Sequence, residues 1–262
     1  MSKYITSILA VMIVAIAAGV EAQTPCPQHF AAGLAPAIFN KKLTPKYREL
    51  CNSGYAVGHS GLTRTPLWSA EHLTRARIAQ GRGVARVDNF RPDTRIPAKE
   101  RSELRDYSRS GLDRGHLSPA QDFADDTSKD ESFLLSNIIP QDSENNRGIW
   151  SAIESVTRHE TNRRGDLYVI TGPVFVGNTV QALRGRVLIP TNIYKCLYDA
   201  SRQEAGCYWV ENSANPTYQK VTVAQVESQT GINIFPAMTS TVKNKLMRLS
   251  EPRKRRNNHR GW

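Results

Sequence analysis

Two short runs of this chain set chemically active side chains close together. The first, "GLDRGHLSPAQDF", residues 111–123, sets Asp113, Arg114, Gly115 and His116 side by side. An imidazole with a reference pKa of about 6.5 is largely neutral near pH 7 and can take a proton from water. The guanidinium of Arg114 is permanently charged, and its planar fork matches phosphate oxygens. In an extended strand Arg114 and His116 share a face, and Gly115 between them leaves the backbone open to close approach.

The second run, "NNRGIWSAIE", residues 145–154, supplies a site for a hard cation. On an α-helix Glu154 lies about 80° round and about 12 Å along the axis from Asn146. Because helical side chains lean toward the N-terminus, Glu154 reaches back toward Asn146. The two cannot both grip one small ion directly. A workable division has Asn146 bind the ion through its amide oxygen while Glu154 orients ion-bound water, which suits Mg²⁺ and its retained hydration shell. Together the two runs hold what hydrolysis of a phosphodiester needs: a base for water, a positive charge for the phosphate oxygens, and an ion that stabilises the leaving 3′ oxygen so that no separate general acid is required.

These residues need elements to position them. Ile149, Ile153 and Val156, with Trp150 at the flank, put one apolar face on a helix from Asn146 to about Glu160. "PLWSAEHLT", 66–74, alternates like a half-buried strand, and "FLLSNIIPQ", 133–141, reads as a strand or short extended segment. "DLYVITGPVF", "RVLIPTNIYKCLYDA" and "CYWVENS" follow as strands rich in β-branched and aromatic residues. "TVAQVESQTG" reads as a helix with Thr222 as N-cap and Gly231 at its end. Residues 23–65 look irregular, 75–110 look like a polar, Arg-rich loop, and "DFADDTSKDE" like a solvated acidic loop lacking the glycine and terminal glutamate of a calcium loop. Without a regular βαβ beat, the order predicts an α+β fold with a central, mostly antiparallel sheet flanked by helices.

Composition bounds the setting. "MSKYITSILAVMIVAIAAGVEA" has the layout of a secretory signal with cleavage after Ala22, and its apolar core is short for a membrane span. The expected organisation is a signal peptide (1–22), a disulfide-stapled N-terminal extension (23–59), one catalytic domain (60–249) and a basic disordered tail (250–262). A secreted or periplasmic protein follows, with no membrane contact after signal cleavage. Cys26, Cys51, Cys196 and Cys207 allow three disulfide connectivities, of which proximity favours Cys26–Cys51 and Cys196–Cys207. No C-x-x-C pair points to zinc. A net charge of +11 fits a polyanionic partner. "GHSGL", 58–62, lacks the second glycine of a nucleophile elbow, which sets an esterase aside. The remaining histidines show no paired metal spacing.

"DRGHLSPAQDF", "LLSNIIPQ" and "NNRGIWSAIE", in this order and spacing, resemble the DNA/RNA non-specific endonucleases, the His-Me finger or ββα-metal enzymes that include the Serratia-type nuclease and endonuclease G. The resemblance spans roughly residues 60 to 235. It implies a ββα-metal nuclease fold, with His116 as general base, Asn146 as the direct protein ligand to Mg²⁺ (Mn²⁺ as a substitute) and Glu154 holding metal-bound water. Arg114 belongs to the signature, near the phosphate. On the substrate-binding side it implies Asn137, matching an asparagine that supports the active site, and an upstream arginine against the scissile phosphate. Arg86 is chosen for that role, though Arg82, Arg91 and Arg95 crowd the same segment. The implied activity is cleavage of DNA and RNA with little sequence preference and 5′-phosphate products. A homodimer and an inhibitor protein are further partners within its scope. The competing reading is a basic nucleic-acid-binding protein on the same scaffold without turnover.

Overall fold

The computed structural model describes residues 24–177 and 180–253. Residues 1–23, which hold the expected signal peptide, and the tail beyond Arg253 lie outside the described residues. No described helix is long and apolar enough to cross a membrane.

The centre is a seven-stranded antiparallel sheet in the order Tyr218–Val221, Glu204–Glu211, Asn192–Asp199, Asp166–Val174, Thr65–Thr74, Ala56–Ser60, Tyr47–Cys51. Strand alternation divides its side chains between two cores. Leu167 and Val169, with Ile193 and Leu197 beside them, face one side, where Ile149, Trp150 and Ile153 cover them. Tyr168 and Ile170, with Tyr194, Cys196 and Tyr198, face the other, under Val223, Val226 and Phe235. The result is a sheet covered on both faces, and the α+β expectation holds.

Several local readings change. Residues 23–65 are not irregular throughout: Tyr47–Cys51 and Ala56–Ser60 are strands of the main sheet. "PLWSAEHLT" is a central strand buried on both faces rather than half-buried, because it lies between two other strands with a core on either side. The Arg-rich segment opens with a helix, Arg75–Gly81, capped by the Thr74 hydroxyl, which accepts from the Arg77 amide. The acidic stretch is also ordered. Asp125 caps a helix at Asp126–Glu131, and Asp122 is fully buried.

Both favoured disulfides form. Cys26–Cys51 ties the N-terminal segment to an edge strand, and Cys196–Cys207 joins directly paired positions of adjacent strands. The helix expected at Thr222 runs Val223–Thr230, with a capping box between Thr222 and Gln225 and Gly231 left-handed at φ 69°.

Candidate active site

Asp113–His116 and Ile138–Gln141 form a two-stranded antiparallel hairpin that lies apart from the main sheet. The expected extended run 133–141 is strand only in its second half; Leu135–Asn137 is a turn of 3₁₀-helix. Gly115 is needed here, but for a different reason from the open approach expected. A Cβ at this position would lie 1.9 Å from Oε1 and 2.7 Å from Cβ of buried Gln141, so the glycine lets the partner strand's side chain cross beneath the hairpin.

The helix after the hairpin starts earlier than the sequence spacing implies. Asp142 is its cap, accepting from the amides of Glu144 and Asn145. The chain then passes through a π-helical turn, Asn146–Trp150, before the regular helix Ser151–Arg164. Asn146 is therefore not the helix's N-cap, and its amide oxygen is free for another task. Single π turns inside helices concentrate at functional sites.

One cavity of about 500 Å³ collects five of the six expected residues: Arg86, Arg114, His116, Asn146 and Glu154. Arg114 and His116 do share a face of their strand. The Arg114 guanidinium lies 4.1 Å over the Phe90 ring, not paired with an aspartate. His116 is packed edge-on to Phe133 and tilted against Phe90. Its Nε2 is buried without a hydrogen-bond partner, which leaves Nδ1 as the nitrogen that reaches the cavity. Burial, reinforced by the Arg86 and Arg114 charges, lowers the imidazole to about 3, so the ring is neutral at physiological pH.

Asp113 organises the opposite wall. Its Oδ2 accepts from Asn146 Nδ2 at 2.9 Å and from Arg147 Nε at 2.9 Å, while Oδ1 accepts from Arg147 Nη2 at 2.8 Å. A carboxylate can only accept. It therefore fixes which end of the Asn146 amide is nitrogen and leaves the carbonyl oxygen unengaged. Partial burial opposes ionisation of Asp113, yet the bonds from Arg147 and Asn146 hold its carboxyl below the usual carboxylate range.

Glu154 sits at the cavity's inner end, where burial raises its carboxyl to about 7 against the pull of Arg158 and Lys195. Arg158 itself pairs with Asp122 at 2.8 Å. The cavity thus presents oxygen donors, from Asn146 and Glu154, and no thiolate. That donor set fits a hard, hydrated cation such as Mg²⁺. Among the described residues the one other cluster with metal-ligand chemistry is Cys26, Glu49 and Cys51, whose two sulfurs are bonded to each other.

Asn137 is not brought to the cavity. It is fully buried; Nδ2 donates to the carbonyls of Ser118 and Ser132, and Oδ1 accepts from the Ser118 amide. With both ends of its amide held by main chain, it cannot contact a bound phosphodiester, which corrects its grouping with substrate-binding residues. It braces the turn just after His116. Arg86 does line the cavity and is half-exposed, paired with Asp88 at 2.6 Å. Of its neighbours, Arg91 and Arg95 are committed to Asp130 and Asp93.

The structure adds residues that motif reading missed. Lys195, fully buried on the central sheet, donates from Nζ to the Leu117 carbonyl at 3.1 Å and to Thr171 Oγ1 at 2.7 Å. Ser69 and Ser118 share a hydroxyl hydrogen bond of 2.7 Å in the same layer. Glu71, also fully buried, has neither oxygen hydrogen-bonded and lies 4.0 Å from Arg77. Burial and the nearby Asp122 push its carboxyl upward, while Lys195 opposes the shift. The sequence did carry a signal for these: a lysine and a glutamate at inward positions of otherwise apolar strands, "NIYKCLYD" and "PLWSAEHLT".

The model of the DNA/RNA non-specific endonuclease family matches residues 35–241. Nuclease C1 of Cunninghamella echinulata var. echinulata is 34% identical over 201 residues, covering 69% of this chain and 80% of that protein. The mitochondrial nuclease EXOG of Homo sapiens is 30% identical, and the match covers 74% of this chain but 59% of the human protein. Among solved structures, a chain from the EndoG/EndoGI complex, which addresses the mechanism of EndoG inhibition, aligns with a TM-score of 0.68 at 28% identity, over 74% of this chain and 88% of that one.

Proposed function

The chain belongs to the DNA/RNA non-specific endonuclease family, and on that premise we propose that it hydrolyses internal phosphodiester bonds of DNA and RNA with little sequence preference. The observation that carries this reading is the shared cavity of His116, Arg114, Arg86, Asn146 and Glu154. An acceptor nitrogen, phosphate-binding cations and oxygen donors for a metal are brought together in one recess.

In the proposed reaction the phosphodiester binds with its non-bridging oxygens toward Arg114 and Arg86. A water between His116 and phosphorus gives a proton to the imidazole as its oxygen attacks. The bond to the 3′ oxygen breaks, and that oxygen takes a proton from solvent water, so the products are a 5′-phosphate and a 3′-hydroxyl. His116 is suited to accept the proton because it is neutral when substrate arrives, and a bound phosphate offsets the two guanidinium charges that disfavour protonation. Asn146, through its amide oxygen, and Glu154 behind it would hold Mg²⁺, with Mn²⁺ as a substitute; when bound, the cation supplies positive charge that stabilises the leaving oxygen. Asp113 keeps the Asn146 amide oriented, and Asn137 and Lys195 hold the main chain next to His116. Little sequence preference follows from contacts made to phosphate rather than base edges.

Two disulfides belong to an oxidising, non-cytosolic compartment. Secretion or periplasmic export is the setting we propose, consistent with the apolar N-terminal run. An inhibitor protein would act by covering the cavity.

The test is digestion of plasmid DNA and of RNA by the purified protein, with and without chelator, and by His116→Ala. Chelation abolishes cleavage, and the substitution lowers it by at least about a hundredfold, the scale of a lost general base, while duplex binding survives. Cleavage that persists unchanged in His116→Ala overturns the mechanism.

A further inference from the structure

The segment that carries Arg86 has no secondary structure of its own. From Arg82 to Phe90 the chain is neither helix nor strand and most of it is exposed. Within 85–90 the one main-chain to main-chain bond runs from the Asn89 amide to the Val87 carbonyl at 2.9 Å. A stretch with so few contacts does not fix its own shape. Yet Arg86 has a definite place. Its Cζ lies 5.4 Å over the Phe133 ring, and Nε donates to Asp88 at 2.6 Å, which leaves both terminal nitrogens without a partner among the described residues. The shape must be imposed from outside the segment.

Two anchors impose it, and both come from the short helix Asp126–Glu131. At the far end Asp130 accepts from Asn89 Nδ2 at 2.8 Å and from both terminal nitrogens of Arg91, whose main chain also bonds to Phe133 and Leu135. At the near end the anchor is Lys129. Its Nζ donates to the Val84 carbonyl at 2.5 Å and to the Gly81 carbonyl at 3.4 Å, where the chain leaves the helix Arg75–Gly81 and turns toward Arg86. The last carbonyls of a helix have no partner within it, and a lysine side chain is suited to capping them. Lys129 is 5% exposed and has no ion pair among the described residues. Burying an ammonium is costly unless its donors are used. Here they are used on two carbonyls that set the entry to the Arg86 segment. Because Asp130 holds the Phe90 end separately, loss of Lys129 would release Arg86 while Phe90 stays packed on His116.

We propose that Lys129 is a positioning residue for Arg86, fixing from outside the catalytic cavity where the phosphate-binding guanidinium stands. The inference rests on the nuclease reading of that cavity and adds to it the residue that aims its phosphate contact.

The experiment measures steady-state cleavage of a duplex oligonucleotide and, on the same proteins, the rate at which trypsin cuts after Arg82. Lys129→Met keeps the side chain's bulk and removes its donors; it is made alone and together with Arg86→Ala. Alone it is expected to lower kcat/KM by about tenfold, mostly through KM, with kcat within about threefold of the parent, since His116, Arg114 and Asn146 are untouched. In the Arg86→Ala background it changes kcat/KM by less than about twofold, because the group it aims is already gone. Trypsin cuts after Arg82 at least about fivefold faster in Lys129→Met, the sign of a released segment. Lys129→Gln, which retains an amide donor, falls between parent and Lys129→Met in both measurements. A loss as large in the Arg86→Ala background as in the parent, or an unaltered rate of cutting by trypsin, overturns the proposal. If Lys129→Met does not fold, Lys129→Gln takes its place in the cycle; failure of both makes the residue a structural one and overturns the proposal as well. If the unsubstituted protein does not cleave nucleic acid while Lys129→Met still speeds cutting after Arg82, the nuclease reading falls and the anchor stands. If it cleaves and Lys129→Met matches it, the positioning role alone falls.

Discussion

Asp113 and Asn146, thirty-three positions apart in sequence, are joined by a 2.9 Å hydrogen bond in which the asparagine amide nitrogen donates and the carboxylate accepts. This contact decides which atom of Asn146 is left for a cation. Asp113→Asn can present its own amide either way round and loses that control. The half-saturating Mg²⁺ concentration for cleavage is expected to rise by roughly 10- to 100-fold, the usual cost of losing a residue that orients a ligand. The rate at saturating Mg²⁺ should fall much less. A fall in maximal rate with an unchanged Mg²⁺ requirement would remove the positioning role.

Lys195 and Glu71 are buried on the same face of the central sheet, and Lys195 reaches the carbonyl of Leu117, next to His116. Lys195→Met leaves the Leu117 carbonyl and the Thr171 hydroxyl without their donor and removes one of the positive charges that oppose the rise of the Glu71 carboxyl. A loss of about 2–4 kcal/mol is expected by urea denaturation, the scale of leaving two buried acceptors without a donor. Adding Glu71→Gln should return part of it, with a coupling of more than about 1 kcal/mol in the double-mutant cycle. Additive losses would show that the two charges are independent.

The Gly115 position allows no side chain. Gly115→Ala forces its Cβ against Gln141 on the adjoining strand, and because Gln141 Cβ as well as its amide lies in the way, rotation of the side chain does not relieve the contact. A destabilisation of about 1–3 kcal/mol is expected in chemical denaturation. Cleavage should fall too, since the shifted strand carries His116. Unaltered stability and activity would mean that the hairpin adapts freely.

His59 is fully buried, with Nε2 donating to the Glu100 carbonyl at 3.0 Å, and burial lowers it to about 4. Above about pH 6.5 the residue is neutral folded or unfolded and does not alter stability. Between 6.5 and 4 the unfolded chain takes up a proton that the folded chain refuses, so stability falls as pH falls through this window. The drop attributable to His59 is about 3 kcal/mol when complete. Denaturation curves at pH 7 and pH 4.5 check it: His59→Gln should lose less stability on acidification than the unsubstituted protein, and an equal loss in both contradicts the assignment.

The sequence by itself determined the signature residues and much of the local structure. Arg114, His116, Asn146 and Glu154 were legible because their chemistry is written in residue type and short spacing. The Thr222 cap, the Gly231 stop and the apolar face of Ile149 and Ile153 were legible because caps and periodicity act within a few residues. Both cysteine pairings also agreed with proximity along the chain. What lay beyond that range was decided by the fold. No local pattern says that residues 113–116 pair with 138–141 over Gln141, that Asp113 reaches Asn146, or that Asn137 turns inward to hold main chain rather than substrate. The irregular look of residues 47–60 failed for the same cause: those strands are stabilised by pairing with each other and with 65–74 and by the core beneath them, not by their own propensity. Lys195 and Glu71 were visible only as oddities in apolar strands. Their meaning depends on a low-dielectric layer that assembles from distant segments, where an unpaired charge is costly and a paired one fixes its neighbours.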